Sequence, residues 1–289
     1  MSKRITLSTL FIAFSLTFTG FAADGKGLGL EQRIKLKWAT KNLLKNPESV
    51  LYDKFRNICY VANINGQSTE KDGNGFISKL GLNGEIVTLK WITGLNAPKG
   101  MGVFQEKLFV TDIDRVVEID IEKDKIVDEY SSPKAQFLND ISVHASGTVY
   151  VSDNIANHIF RLENGILELW LTSTDLKEPN GLYAEEHRLL IGINNAILSA
   201  DYGTNKVERF IKNTDYVDGL ASMGNGRYLV SDFLGKIQMV RQGQKRIKII
   251  DTSAEKIMAA DIDFVIEKRL LLVPTFMNNR VMAYEIIDE

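Results

Sequence analysis

Short runs of alternating apolar and polar residues, separated by turns bearing Gly, Asn or Asp, fill the chain from residue 34 onward. Such alternation marks half-buried β-strands rather than helices. Two stretches are near copies of each other. Leu138-Asn139-Asp140-Ile141-Ser142-Val143 leads into Gly147-Thr148-Val149-Tyr150-Val151-Ser152-Asp153, and Val217-Asp218-Gly219-Leu220 leads into Gly226-Arg227-Tyr228-Leu229-Val230-Ser231-Asp232. The phrase recurs from Glu48 to Asn63, Lys99 to Asp112, Asn180 to Ile193 and Ala260 to Thr275. First-strand marks fall at 48, 99, 139, 180, 218 and 260, spaced 51, 40, 41, 38 and 42. Second-strand ends fall at 63, 112, 153, 193, 232 and 275, a second ruler with the same period. The long first interval holds a polar insertion, Gln67 to Gly75.

Each period carries two more alternating runs, as in His158–Leu162 with Ile166–Leu171, and Lys236–Val240 with Arg246–Ile250. Four strands in about 40 residues is the signature of a propeller blade. The pattern therefore predicts an all-β, six-bladed β-propeller with four-stranded antiparallel blades. A solenoid would not need four antiparallel strands per repeat. The last period lacks an outer strand, and Ile34–Thr40 has strand alternation. This N-terminal strand is expected to complete blade six and close the ring. Residues 24–289 then read as one domain.

The residues before that strand have another character. Lys3 and Arg4 precede an apolar run, Ile5 to Phe18, and Gly20-Phe21-Ala22-Ala23 supplies small residues. This is the layout of a secretory signal peptide over residues 1–23, cut near Ala22 or Ala23. The run is shorter than the roughly 20 residues a spanning helix needs, so no stable membrane span is expected after cleavage. The protein is expected to be exported, periplasmic or secreted. Charge is nearly balanced, with 35 Lys and Arg against 37 Asp and Glu. That balance argues against a nucleic-acid partner. A single cysteine, Cys59, excludes an internal disulfide framework and reads as a small core hydrophobe.

The repeat register also organises the chemistry. The first-strand marks begin the innermost strands, so equivalent residues ring one mouth of the channel: Glu48, Lys99, Asn139, Asn180, Asp218 and Ala260. Burying carboxylates and amides is costly unless they are paired or hold a metal. Two carboxylates with two amide oxygens suit a hard divalent cation, Ca²⁺ before Zn²⁺, with water completing the shell. Mg²⁺ and Mn²⁺ are further possible occupants. A structural reading also exists. Asn180-Gly181 and Asp218-Gly219 are ordinary turn dipeptides, Glu48 could cap a loop, and Lys99 could form an ion pair with Glu48.

The phrases Pro47-Glu48-Ser49-Val50-Leu51-Tyr52-Asp53, Phe137-Leu138-Asn139-Asp140, Pro179-Asn180-Gly181-Leu182 and Val217-Asp218-Gly219-Leu220 resemble the senescence-marker-protein/gluconolactonase family of regucalcin-like lactonases. The resemblance runs from about Pro47 to the C-terminus. It implies a six-bladed propeller with one catalytic divalent cation, held by Glu48, Asn180 and Asp218. Asn139 would meet metal-bound water or substrate and completes the candidate metal set, and Asp218 would double as general base. Paraoxonases and diisopropylfluorophosphatase are similar in carrying a Glu-Asn-Asn-Asp calcium site. Two positions depart from the motif. Sugar lactonases usually carry a substrate-contacting arginine where this chain has Phe137, and Lys99 has no counterpart.

The leading expectation is an exported, metal-dependent hydrolase opening a small-molecule lactone or related ester, with Asp218 catalytic and Asn139 and Lys99 binding substrate. The rival is a non-catalytic exported propeller that binds a ligand or partner protein, since propellers host many functions. A strictosidine-synthase-like propeller would need a different catalytic Glu, which has no evident position. His144, His158 and His187 lack metal-ligand spacing, and no G-x-S-x-G elbow occurs. His144 and His158 read as surface residues. Gly25-Lys26-Gly27-Leu28-Gly29 does not follow a strand and reads as a linker. The Gln67 to Gly75 insertion is either a plain loop or a lid over one channel mouth.

Overall fold

The computed structural model describes residues 34–287. The expected signal peptide and the Gly25–Gly29 linker lie outside them. Among the described residues no helix is long and apolar enough to cross a membrane.

Six antiparallel sheets follow one another along the chain as propeller blades. Blade two is typical, with Pro98–Phe104 innermost, then Lys107–Asp112, Arg115–Asp120 and Lys125–Ser131. Blade four looks different because Arg188–Asp201 is a single 14-residue element. A straight strand of that length would span about 45 Å. Yet the Tyr202 N–H donates to the His187 carbonyl, and Asn195 takes a positive φ of 67°. The element therefore doubles back at Asn194-Asn195, and blade four also has four strand passes.

Closure follows the expected route. Ile34–Ala39 pairs with Val281–Ile286 as the outer strand of blade six. On the inside, the Asp261 N–H donates to the Glu48 carbonyl at 2.9 Å, joining the inner edges of blades six and one. Apolar side chains fill the wedges between neighbouring blades. Tyr60, Ile77, Leu108 and Val117 pack blade one on blade two, while Val61, Leu80, Leu272 and Val281 seal blade one to blade six. Cys59 is fully buried in that seal.

The recurring phrase has a physical reason. In blades one to three, the Asn or Asp ending the second strand holds the loop that enters its own inner strand. Asn63 Oδ1 accepts from Lys45 N, Asp112 Oδ1 from Ala97 N, and Asp153 Oδ2 from Gln136 N. Each clamp sits two or three residues before a channel residue: Glu48, Lys99 and Asn139. The preceding Ser or Thr ties neighbouring inner strands together. Ser231 Oγ accepts from Gly219 N and donates to Ala260 O, and Thr111 Oγ1 donates to Asn139 O. Glycine allows the inner strands to converge, since a Cβ on Gly181 would come within 2.5 Å of the Asp218 carbonyl oxygen.

Candidate active site in the propeller channel

Inner strands enter the channel through irregular register. The pairing slips between Pro47 and Ser49, between Pro98 and Met101, and between Leu138 and Ile141. Strand alternation would send consecutive side chains to opposite faces of a blade. A bulge instead lets neighbours share the channel. Asn139 lines a cavity at one end and Asp140 a cavity at the other.

The first cavity, about 420 Å³, gathers Glu48, Lys99, Asn139 and Asp218 from blades one, two, three and five. Asn180 joins them by donating its side-chain amide to Asp218 Oδ1 at 2.6 Å. All five are buried. The blade-six slot, Ala260, is buried but contributes no polar side chain. Tyr216, from the last strand of blade four, accepts from Asn180 Nδ2 at 3.2 Å and Asn154 Nδ2 at 2.9 Å. It holds Asn180 against Asp218.

Lys99 does not form an ion pair with Glu48. Its ammonium donates to Ala97 O at 2.9 Å and Ser68 O at 3.1 Å and lies 4.4 Å from the Phe137 ring centre. Ser68 belongs to the polar insertion, which therefore reaches the channel mouth. The result leaves two acceptors stranded. Glu48 Oε2 and Asp218 Oδ2 are buried with no hydrogen-bond partner. Leaving a buried charge unpaired costs several kcal/mol.

Burial dominates the electrostatics. It pushes Asp218 up to about 7, against the hydrogen bond from Asn180. Glu48 is raised by burial and by Asp218, and only partly relieved by Lys99. Asp140 is lifted by burial to about 7 despite N–H donors from Leu182 and Ile141. Asp261 is raised by burial and by Asp140, Glu48 and Asp218. Burial lowers Lys99 to about 8. The channel thus gathers carboxyl groups that resist ionisation around the weakened Lys99 ammonium.

That donor set fits a hard cation. Glu48 Oε2 and Asp218 Oδ2 already lack donors, and Asn139 stands beside them on the cavity wall. The Asn180 amide now turns its NH₂ toward Asp218, so serving as a ligand requires it to rotate and present oxygen. Among the described residues no three His, Cys, Asp or Glu side chains come together at metal-holding geometry. Asparagine oxygens and water would have to supply much of any cation's shell here.

Sequence reasoning passed over several residues of this region. Asp140 and Asp261 sit beside the channel marks and line the cavity at the other end, Asp140 by way of its bulged entry. The cavity wall includes Ile64, Phe233 and Phe276, each the first residue after a second-strand end. Extending the repeat ruler by one position would have found them. The histidines lie elsewhere. His144 and His158 are half-buried, and His187 is exposed.

No family model and no curated protein matches the chain. Solved structures do. A streptogramin B lyase is similar with a TM-score of 0.65 at 14% identity, covering 89% of this chain and 99% of that one. A catalytically inactive histidine-to-alanine variant of virginiamycin B lyase from Staphylococcus aureus, solved with quinupristin, is similar at 0.61 and 15%, covering 88% and 100%. At such low identity the likeness establishes a shared propeller fold, and no histidine lines the cavity of the present chain.

Proposed function

We propose that this chain is an exported, divalent-cation-dependent hydrolase that opens a lactone or related ester in the propeller channel, as its resemblance to gluconolactonase-like enzymes implies. One observation carries the reading: Glu48 Oε2 and Asp218 Oδ2, from blades one and five, are buried without donors beside one cavity. A non-catalytic scaffold has no need of two stranded carboxylate oxygens there. Glu48, Asn139, Asn180 and Asp218 are the residues that would hold the cation, with Ca²⁺ favoured by an all-oxygen set. When bound, such a cation polarises a carbonyl and offsets charge developing on its oxygen.

The chain's own groups supply the rest. Asp218 takes a proton from attacking water as that water adds to the acyl carbon. The acyl–oxygen bond breaks, the departing oxygen takes up the proton that Asp218 holds, and a hydroxy acid results from a lactone, or an acid and an alcohol from an open-chain ester. Asn139 positions the reacting group, and Lys99 attracts the product carboxylate.

The test is a panel of lactones and esters, with and without chelator, on wild type and Asp218→Asn. Removing a general base costs about 10²–10⁴-fold in rate. The reading expects chelator-sensitive turnover and a loss of at least that size in Asp218→Asn, which removes a cation ligand together with the base. Undiminished turnover in Asp218→Asn removes it from the mechanism, and no turnover on any member refutes the hydrolase.

A further inference from the structure

The walls of the same cavity specify more than its floor. Ionic and amide groups are gathered at Glu48, Lys99, Asn139 and Asp218, while Ile64, Phe137, Phe233, Leu234 and Phe276 form most of the remainder, with Ser68, Tyr216 and Asp232. The five apolar side chains offer neither donor nor acceptor. The Tyr216 hydroxyl, also on the wall, is engaged by Asn154 and Asn180. Asp232 is engaged by the Lys236 N–H at 2.9 Å.

The backbone is strained to place these groups. Phe233 has φ of 60° and Phe276 of 44°, and Ile113, packed beside Phe276, has 62°. All three directly follow a second-strand end. Bulky residues seldom enter the left-handed region, where Asn and Gly are at ease. This chain uses Asn for most such turns, among them Asn57, Asn157, Asn195 and Asn225. Aromatic rings persist at Phe233 and Phe276, meeting edge-to-face at 5.2 Å. Strain of this kind is retained where the side chain has work at a site.

We infer that the cavity takes a lactone or ester bearing an apolar chain or ring, rather than a polyhydroxylated sugar lactone. The reacting end rests on the hydrolase reading above; the apolar end rests on the cavity wall alone. A sugar lactone would bury hydroxyls against Phe137, Phe233 and Phe276 with nothing to pair them, at about tenfold in affinity for each. Each methylene laid on the same wall instead gains about fourfold.

The experiment uses the full chain with Ca²⁺ and a series of γ-lactones of growing alkyl length, against glucono-δ-lactone. kcat/KM is expected to climb about fourfold per methylene until the cavity is full, with glucono-δ-lactone at the bottom. Phe233→Ser and Leu234→Ser are expected to flatten that slope. Leu234 is 62% exposed, so its replacement leaves folding intact and keeps the test open if Phe233→Ser does not fold. Calorimetric binding of γ-decalactone to the same proteins is read in parallel. Binding that weakens in Leu234→Ser, with no turnover of any lactone, refutes the hydrolase while upholding the apolar cavity. Glucono-δ-lactone turned over fastest, a flat chain-length slope, or no binding of γ-decalactone overturns the inference.

Discussion

The Lys99 ammonium donates to the Ser68 carbonyl at 3.1 Å, fastening the polar insertion of blade one to the inner strand of blade two. The same ammonium lies close enough to Glu48 to lower its pKa, and burial brings Lys99 itself down to about 8. Lys99 thus holds the loop and opposes any cation that enters the channel. In Lys99→Met both effects vanish. Limited proteolysis should cut the loop between Asn65 and Asn74 faster, and titration calorimetry should find Ca²⁺ bound about tenfold more tightly, the effect of ~1.4 kcal/mol of relieved repulsion. Unchanged affinity would mean that Glu48 does not serve as a ligand near this charge.

Ser231 links the repeat phrase to the site. Its hydroxyl accepts from Gly219 N at 2.8 Å and donates to Ala260 O at 2.7 Å, and Gly219 follows Asp218 directly. Ser231→Ala leaves both backbone groups buried without this partner, a loss of about 2 kcal/mol. Urea denaturation should record that loss, and Ca²⁺ affinity should fall with it because Asp218 is no longer held. Ser231→Thr, which keeps the hydroxyl, should recover part of both.

The propeller was legible because strand periodicity and the Ser-Asp phrase serve the fold itself. Asn63, Asp112 and Asp153 clamp the entry loops of blades one to three, so the phrase recurs where the fold uses it. The ring of Glu48, Lys99, Asn139, Asn180 and Asp218 was legible for the same reason. What lay beyond reach was set by departures from regular pairing. Period-two alternation assigns Asn139 and Asp140 to opposite faces, whereas the slip between Leu138 and Ile141 gives both to the channel. Phe233 and Phe276 lie past the strand ends, where hydrophobic periodicity carries no information and only the repeat ruler, extended by one position, reaches them. Lys99 facing carbonyls rather than Glu48 depends on the insertion folding over the mouth, a contact remote in sequence.

Asp263 makes stability depend on pH. It accepts from Tyr52 N and Phe264 N, both at 2.7 Å, yet burial pushes its carboxyl up to about 6 from an ordinary 3.8. The folded protein therefore binds a proton that the unfolded chain has released across pH 4–6. Asp263 favours folding least above pH 6, and the penalty of roughly 3 kcal/mol is relieved as pH falls toward 4. Urea midpoints measured in EDTA between pH 4.5 and 7.5 should fall less steeply with rising pH in Asp263→Asn than in wild type. Parallel profiles would show that this carboxyl titrates normally.

The central claim is that Glu48 and Asp218, from sequence-distant blades, share one divalent cation. Thermal unfolding of wild type, Glu48→Gln and Asp218→Asn, each in EDTA and in Ca²⁺, tests it most directly. A cation that binds only the folded state stabilises by about 3 kcal/mol at a hundredfold excess over Kd, or roughly 5–10 °C for a chain of this size. The account predicts that rise in wild type and its near loss in both variants. A melting temperature indifferent to millimolar Ca²⁺, Mg²⁺, Mn²⁺ and Zn²⁺, with no metal retained through purification, would contradict it.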